Sequence, residues 1–164
     1  MTINWLDPQP LSNYGMAPTG PGIYVIGNAI DALKPIIPTE EYDDYAANWP
    51  DNLHGLYVGI SESAGRGIRS RLSCHARSKG NRDIALRLRK REDLWYIASP
   101  GAEGADFEVL FLTLFNRASM FTSNVRDELR RSTLRRHRQA EARMKAEGKH
   151  IVNWADLPDD YLRG

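Results

Sequence analysis

The amino-acid sequence predicts an α+β fold in which helices flank a small three-stranded sheet, antiparallel or mixed, and a basic helix follows at the C-terminal end. Three short runs rich in β-branched and aromatic residues lie between turn-forming residues, which is typical of strands. Between and after these runs, apolar residues recur at helical spacing. The 164 residues, 41% of them hydrophobic, suffice for one core, so we interpret residues 1–164 as a single domain.

The predicted strands are separated by segments of distinct composition. Residues 1–21 contain four prolines and are predicted to form an irregular arm. The first strand is predicted over residues 22–27 and the second over residues 55–61. Residues 30–54 between them are acidic and punctuated by proline, so we interpret them as an insertion. The third strand, over residues 94–98, ends before Pro100-Gly101.

Two helical segments are predicted between the second and third strands. The first places Ile68, Leu72 and either His75 or Ala76 on one apolar face. Gly80-Asn81 is expected to end it, and a basic helical segment follows over residues 84–88.

Two further helices are predicted after the third strand. The first covers residues 102–116 and has an apolar face, with acidic residues in its N-terminal turn. The second is arginine-rich, covers residues 122–147 and ends at Gly148. Residues 117–164 therefore form a basic helix and a tail.

The formal net charge of +1 hides an uneven distribution of charge. Residues 1–60 carry one basic residue against seven acidic ones, whereas residues 61–91 carry ten basic residues against two acidic ones. Residues 117–150 carry ten basic residues against four acidic ones. Although the net charge argues against a basic arm-like nucleic-acid binder, two local basic segments of this kind attract phosphate.

The number of cysteines and the hydropathy of the sequence indicate the cellular compartment in which we expect the protein. The single cysteine, Cys74, excludes an internal disulfide and suits a reducing compartment. No signal peptide is evident, and the longest apolar stretch, residues 109–115, is too short to span a membrane. We therefore expect a cytoplasmic protein with no membrane partner.

Five side chains have the chemistry that phosphodiester hydrolysis needs. Tyr24 and Tyr57 occupy similar places in the first two strands, so paired strands would project both phenols from one end of the sheet. Arg71 and His75 are four residues apart and share one helix face, whereas Glu108 lies within the apolar face of a later helix. An arginine binds phosphate bidentately, a carboxylate holds a hard divalent cation, and a phenol or imidazole moves a proton.

These residues occur in the order of a known family. Gly22-Ile23-Tyr24 and Tyr57-Val58-Gly59, followed by Arg71, His75 and Glu108, resemble the GIY-YIG nuclease superfamily over residues 22–116. The specificity of the resemblance lies in the arginine–histidine helix placed between the second strand and the glutamate. Members of that family have a small antiparallel sheet flanked by helices, which agrees with the predicted order of elements.

The resemblance implies a role for each matching residue. Tyr24 would be the general base or would orient the attacking water, and Tyr57 would be its supporting phenol. Arg71 would hold the scissile phosphate, and His75 would hydrogen-bond the nucleophile or a phenol. Glu108 would be the sole protein ligand of Mg²⁺, which Mn²⁺ could replace, and the metal would act as a Lewis acid that helps the leaving 3′-oxygen depart.

The sequence departs from the family pattern in three places. The two tyrosines are 33 residues apart, which requires the insertion between the strands. Ile60-Ser61 stands where many members have a lysine, so a cation at that position is missing or comes from elsewhere. The family's late asparagine has two candidates, Asn116 and Asn124, and neither falls at the usual interval from Glu108.

Glu108 competes with other acidic residues for the role of metal ligand. Glu103 is the main rival and Asp106 a weaker one, but both lie in the first helical turn, where acidic residues commonly interact with the helix dipole. Glu108 lies inside the apolar face, where an unused carboxylate is costly. We therefore favour Glu108.

The sequence thus predicts a Mg²⁺-dependent endonuclease that acts on DNA at a single catalytic site, so that cleavage of both strands would require a homodimer or two sequential events. The cations expected to bind the DNA backbone are Arg66, Arg69, Arg82, Arg87, Arg89, Lys90, Arg91, Arg130 and Arg131. One alternative is a catalytically decayed scaffold that binds nucleic acid without cutting it. Another is an adaptor whose basic helix meets an acidic protein.

Overall fold

A four-stranded antiparallel sheet forms the centre of the molecule. The computed structural model describes residues 3–29, 49–104, 121–124 and 131–149, and in these it shows an α+β fold. The strands are β1 (Gln9–Pro10), β2 (Gly22–Ala29), β3 (Leu53–Ser61) and β4 (Leu94–Pro100), in the spatial order β1-β4-β2-β3. The three strands expected from the sequence are present, but the prediction of only three strands is wrong.

The additional strand comes from the N-terminal arm. Gln9 pairs with Tyr96 and Pro10 with Trp95, which makes β1 the edge strand beside β4. Proline lacks an amide hydrogen and is tolerated at such an edge, where one side of the strand has no partner to bond. A 3-10 helix, Leu11–Met16, follows and buries Leu11. The expectation of an irregular arm is therefore wrong for residues 9–16, because tertiary packing orders a segment whose local sequence favours none.

The central strand β2 pairs with β3 along its whole length and with β4 from Gly22 to Asn28. Tyr24 lies opposite Gly59, and Ile26 lies opposite Tyr57. Since side chains alternate between the two faces of a strand, Tyr24 and Tyr57 lie on the same face of the sheet. The expectation that paired strands bring the two phenols together is confirmed.

Residues 121–124 cover part of the outer edge of β3. The amide of Phe121 donates to the carbonyl of Gly55, and the amide of Ser123 donates to the carbonyl of Leu56. The pairing register of β2 and β3 shifts beside Leu56, as in a β-bulge. A late segment of the chain thus satisfies backbone groups that an exposed edge would leave to solvent.

Three α-helices are described, and they are α1 (Gly67–Ala76), α2 (Arg82–Arg89) and α3 (Arg131–Ala146). The first two match the predicted helices on either side of residues 80–81. The third belongs to the predicted arginine-rich helix, and its C-terminal end has Gly148 at a φ of 73°, as a helix-ending glycine requires. No helix in the described part of the chain is long and apolar enough to cross a membrane.

The apolar core that positions the site lies between the sheet and α1. Ile68 and Leu72 of α1 are fully buried against the sheet face that carries Tyr24 and Ile26. His75, one turn after Leu72, is 5% exposed, so the predicted buried face of α1 is confirmed with His75 on it.

Several expectations lie outside the described residues. They concern most of the insertion, nearly all of the helix over residues 102–116, and the tail after residue 149. Glu108, Asp106, Asn116 and Arg130 fall there, and the side chain of Arg131 is not described.

Candidate active site

Gly59 allows the ring of Tyr24 to cross β3. A Cβ atom on Gly59 would lie 2.3 Å from the Cζ and Oη atoms of Tyr24, so no larger residue fits opposite this tyrosine without a shift. The ring is 1% exposed, which holds the phenol in one place at the base of a cleft. Gly59 of the second strand motif therefore leaves the space that the ring of Tyr24 of the first strand motif occupies.

Helix α1 supplies the imidazole and the guanidinium. Ile68 and Leu72 anchor the helix on the sheet, and this anchoring turns His75 toward the two phenols. Arg71 is exposed and lines the same cleft. The spacing of four residues between Arg71 and His75 thus places both side chains at one cleft.

The two tyrosines and His75 form a cluster of three rings. The Oη atom of Tyr24 is 3.1 Å from Nε2 of His75. The ring centroids of Tyr57 and His75 are 4.8 Å apart, and those of Tyr24 and Tyr57 are 6.2 Å apart. Contacts at these distances hold all three side chains in a fixed mutual arrangement.

His75 is neutral at physiological pH. Burial and, as the smaller cause, the positive charge of Arg71 together lower the pKa of this imidazole to about 4. The amide hydrogen of Asn81 is donated to Nδ1 at 3.2 Å, an interaction that also disfavours the doubly protonated ring. An imidazolium is therefore not available in this cleft near pH 7.

The cleft has a volume of about 380 Å³ and a mainly polar lining. Its lining residues are Tyr24, Tyr57, Arg71, Cys74, His75, Lys79, Gly80 and Asn81. Four of the five residues predicted to be catalytic thus meet at one cavity. The arrangement can bind an anion through Arg71 and Lys79 and can handle a proton through Tyr24 and His75.

Sequence reasoning missed the far wall of this cleft. From the sequence, Gly80-Asn81 is expected only to end a helix, and Lys79 is one of the ten basic residues of the segment 61–91. Lys79 brings to the cleft a cation of the kind that Ile60-Ser61 does not provide. The proximity of residues 79–81 to His75 along the chain was the available signal, but the turn that folds them back is a tertiary feature.

Asn124 is bonded to the backbone beside Tyr57. Its Oδ1 accepts the amide hydrogen of Val58 at 2.8 Å, and its Nδ2 donates to the carbonyl of Val58 at 3.0 Å. The side chain is 4% exposed and continues the hydrogen-bonding pattern of the sheet. Asn124 therefore supports β3 next to Tyr57, while Asn116, the other candidate asparagine, lies outside the described residues.

The predicted phosphate-binding cations differ in their surroundings. Arg66, Arg69, Arg82, Arg89, Lys90 and Arg91 are exposed. Arg69 donates from Nε to the carbonyl of Ala17. Arg87 is held between two carboxylates, with Nε 3.0 Å from Asp83 and Nη1 2.9 Å from Glu92. Because its charge is neutralised within the chain, Arg87 is a poor candidate for DNA contact.

The described part of the cleft carries no carboxylate. Among the residues that the structure describes, no three histidine, cysteine, aspartate or glutamate side chains are grouped so that they could hold a metal ion. Glu103, the rival of Glu108, is exposed and does not line the cleft. Glu108, the predicted metal ligand, lies outside the described residues.

No protein-family model, curated protein or solved structure matches this chain.

Proposed function

We propose that this protein is a Mg²⁺-dependent endonuclease of the GIY-YIG type that hydrolyses DNA phosphodiester bonds. The observation that carries the proposal is the meeting of Tyr24, Tyr57, Arg71 and His75 in one cleft. The sequence predicts a shared site for these four residues, and in the structure they come from two strands and a helix. A tyrosine in a strand or an arginine on a helix is ordinary, but four such residues around one polar cavity favour a shared chemical role.

Some residues of the cleft would bind the phosphate, and others would transfer a proton. Arg71 would bind the non-bridging oxygens of the scissile phosphate, with Lys79 as a second cation at the same cavity. Tyr24 would take the proton of the attacking water, and its hydrogen bond to His75 would hold the phenol oxygen in position. Tyr57 packs against the imidazole and would limit its movement.

The metal would be held by Glu108. Bound Mg²⁺ or Mn²⁺ would supply a Lewis acid that stabilises charge on the leaving 3′-oxygen. The remaining catalytic contributions are those of the cleft residues described above.

DNA would follow the exposed cations around and beyond the cleft. The exposed arginines and Lys90 of the segment 61–91 supply positive charge on the part of the chain that carries Arg71 and His75. With one active site per chain, cleavage of both strands would require a homodimer or two successive events.

A plasmid-nicking assay with two matched tyrosine variants tests the proposal. Tyr24→Phe removes the phenol oxygen and keeps the ring, so we expect at least a 100-fold loss of Mg²⁺-dependent nicking. Tyr96→Phe is the control, because Tyr96 is a buried tyrosine on the neighbouring strand whose hydroxyl donates to the carbonyl of Asn13, outside the cleft. This control variant should nick as the wild type does.

The same assay with Glu108→Ala and with EDTA tests the metal. Both should abolish nicking, whereas retention of DNA by the Glu108→Ala variant should persist. Undiminished nicking by Tyr24→Phe or by Glu108→Ala would refute the proposal. Salt-sensitive DNA binding by a wild-type protein that never nicks in Mg²⁺ or Mn²⁺ would instead identify a decayed, purely binding scaffold.

A further inference from the structure

The two ring nitrogens of His75 have different partners, and one of these partners determines the tautomer. The backbone amide of Asn81 can only donate, so Nδ1, 3.2 Å away, must carry a lone pair. In the neutral imidazole the single proton then lies on Nε2. Nε2 is 3.1 Å from the Oη atom of Tyr24, so His75 donates this hydrogen bond and the phenol oxygen accepts it.

The turn that presents the Asn81 amide is held from several sides. The chain reverses after α1 through Ser78, whose φ is 58°, and the amides of Ser78 and Lys79 donate to the carbonyls of His75 and Cys74. Gly80 then faces the imidazole, and a Cβ atom on it would lie 2.4 Å from Nδ1 of His75. Only a residue without a side chain allows so close an approach.

Asn81 is bonded on its other side as well. It is the N-cap of α2, and its Oδ1 accepts the amide hydrogens of Asp83 and Ile84 at 2.9 and 3.1 Å. Its Nδ2 donates to the carbonyl of Ser123 at 2.9 Å. The amide aimed at His75 is thus fixed by α2 and by the segment that covers β3.

We propose that the Gly80-Asn81 turn is a positioning element that holds His75 as the Nε2–H tautomer, so that the proton of the attacking water passes to Tyr24 and not to His75. In this tautomer no lone pair of His75 faces Tyr24, and the imidazole cannot accept the phenol's proton. To take a proton from water Tyr24 must act as a phenolate, and the hydrogen bond that His75 donates would stabilise this phenolate. The phenolate takes one proton from water, and the resulting hydroxide forms a bond to phosphorus while the bond from phosphorus to the 3′-oxygen breaks. The leaving 3′-oxygen takes a proton from solvent water, and the phenol later returns its own proton to solvent, so one water is consumed for each bond cleaved.

The proton route rests on the proposed nuclease function, but the tautomer does not. Nitrogen-15 NMR of the full chain separates a protonated ring nitrogen from a bare one, and a His75→Gln sample assigns the His75 signals among the four histidines. We expect the wild type to show a protonated Nε2 and a bare Nδ1. A protonated Nδ1 in the wild type would overturn the proposal before any variant is made.

Two substitutions at position 81 isolate the amide hydrogen. Asn81→Pro and Asn81→Ala both remove the cap and the contact with Ser123, but only proline also removes the amide hydrogen. The φ of −61° at Asn81 is one that proline adopts. We expect Asn81→Ala to keep the Nε2–H tautomer and Asn81→Pro to populate Nδ1–H, with nicking by Asn81→Pro about tenfold or more below that of Asn81→Ala.

Circular dichroism and thermal unfolding establish that both variants fold. If the Asn81→Pro variant does not fold, the Gly80→Ala variant takes its place in the experiment. The methyl group of the new alanine would press on Nδ1 of His75 and should shift the tautomer signal. Identical His75 spectra for Asn81→Pro and Asn81→Ala would overturn the proposal. A wild-type Nε2–H tautomer in a protein that never nicks DNA would refute the nuclease function and the proton route, while leaving the positioning of His75 in place.

Discussion

His75 is the residue on which the geometry of the cleft depends. It contacts Tyr24 through Nε2, Tyr57 through its ring and the Asn81 amide through Nδ1. A buried, neutral imidazole with both nitrogens bonded differs from a surface histidine, which exchanges its proton freely near pH 6.5. The same burial that orients the ring makes the stability of the fold depend on pH.

We expect His75 to reduce stability as the pH falls. In the folded chain burial, with the charge of Arg71, lowers the pKa of His75 to about 4, whereas the unfolded chain binds a proton below about 6.5. The stabilising contribution of the neutral ring is therefore complete above pH 6.5 and diminishes from there toward pH 4. By pH 5 the loss from this residue amounts to about 2 kcal/mol.

Urea unfolding at pH 7.5 and pH 5 measures this effect. The difference in unfolding free energy between the two pH values should be smaller in His75→Gln than in the wild type. His54, whose pKa is also lowered by burial and then by Arg87, is present in both proteins and cancels in the comparison. An equal pH dependence in the two proteins would contradict the buried neutral imidazole.

At the scale of elements, the segment 121–124 joins β3 to α2. Its backbone bonds to β3, and the hydroxyl of Ser123 donates a short hydrogen bond to Asp83 at the start of α2. Asp83 in turn bonds Arg87, which also bonds Glu92. The strand that carries Tyr57 and the helix that begins at Asn81 are thus connected through this one segment.

Substitution of Asn124 should loosen this connection. Asn124→Asp replaces the donor that faces the carbonyl of Val58 with a carboxylate oxygen, which leaves two acceptors in contact in a buried place. We expect a loss of about 1–3 kcal/mol of unfolding free energy, measured by urea denaturation.

Asn52→Asp introduces the same change of charge at an exposed turn and serves as the control for Asn124→Asp. The expected loss for this control is within about 0.5 kcal/mol. Equal stability of the two variants would show that the bonds to Val58 contribute nothing.

At the scale of the whole molecule, charge is separated along the chain. The acidic residues dominate residues 1–60, and the excess of basic residues begins just after β3 and continues through α1 and α2. Arg71 and Lys79 of this basic segment line the cleft. A near-neutral protein can therefore present a strongly positive face to a polyanion.

The salt dependence of DNA binding should distinguish exposed cations from paired ones. In EDTA, where no cleavage is expected, Arg82→Ala should lower the slope of log Kd against log salt by about 1, as for a lost phosphate contact. Arg87→Ala should leave the slope nearly unchanged and reduce thermal stability, because its guanidinium bonds Asp83 and Glu92. A larger change of slope for Arg87→Ala than for Arg82→Ala would contradict this assignment.

Local patterns in the sequence were sufficient for the main elements. The strands β2, β3 and β4 are predicted by β-branched and aromatic residues that lie between turns. The buried face of α1 is predicted by the helical spacing of Ile68, Leu72 and His75. The order of the tyrosines, the arginine and the histidine likewise led to four residues that share a cleft. The strands and the buried helix face depend on neighbours in the chain, because strand and helix periodicity are local properties.

Only the tertiary structure decided which segments that are distant in the sequence contact one another. Pro10 became part of an edge strand because β4 supplied a pairing partner, and the hydrogen bonds of Asn124 to Val58 place that side chain beside Tyr57. The turn after α1 became a wall of the cleft because it folds back onto His75. By itself the sequence determined which groups are present and on which element they lie, whereas long-range packing determined which nitrogen of His75 carries the proton.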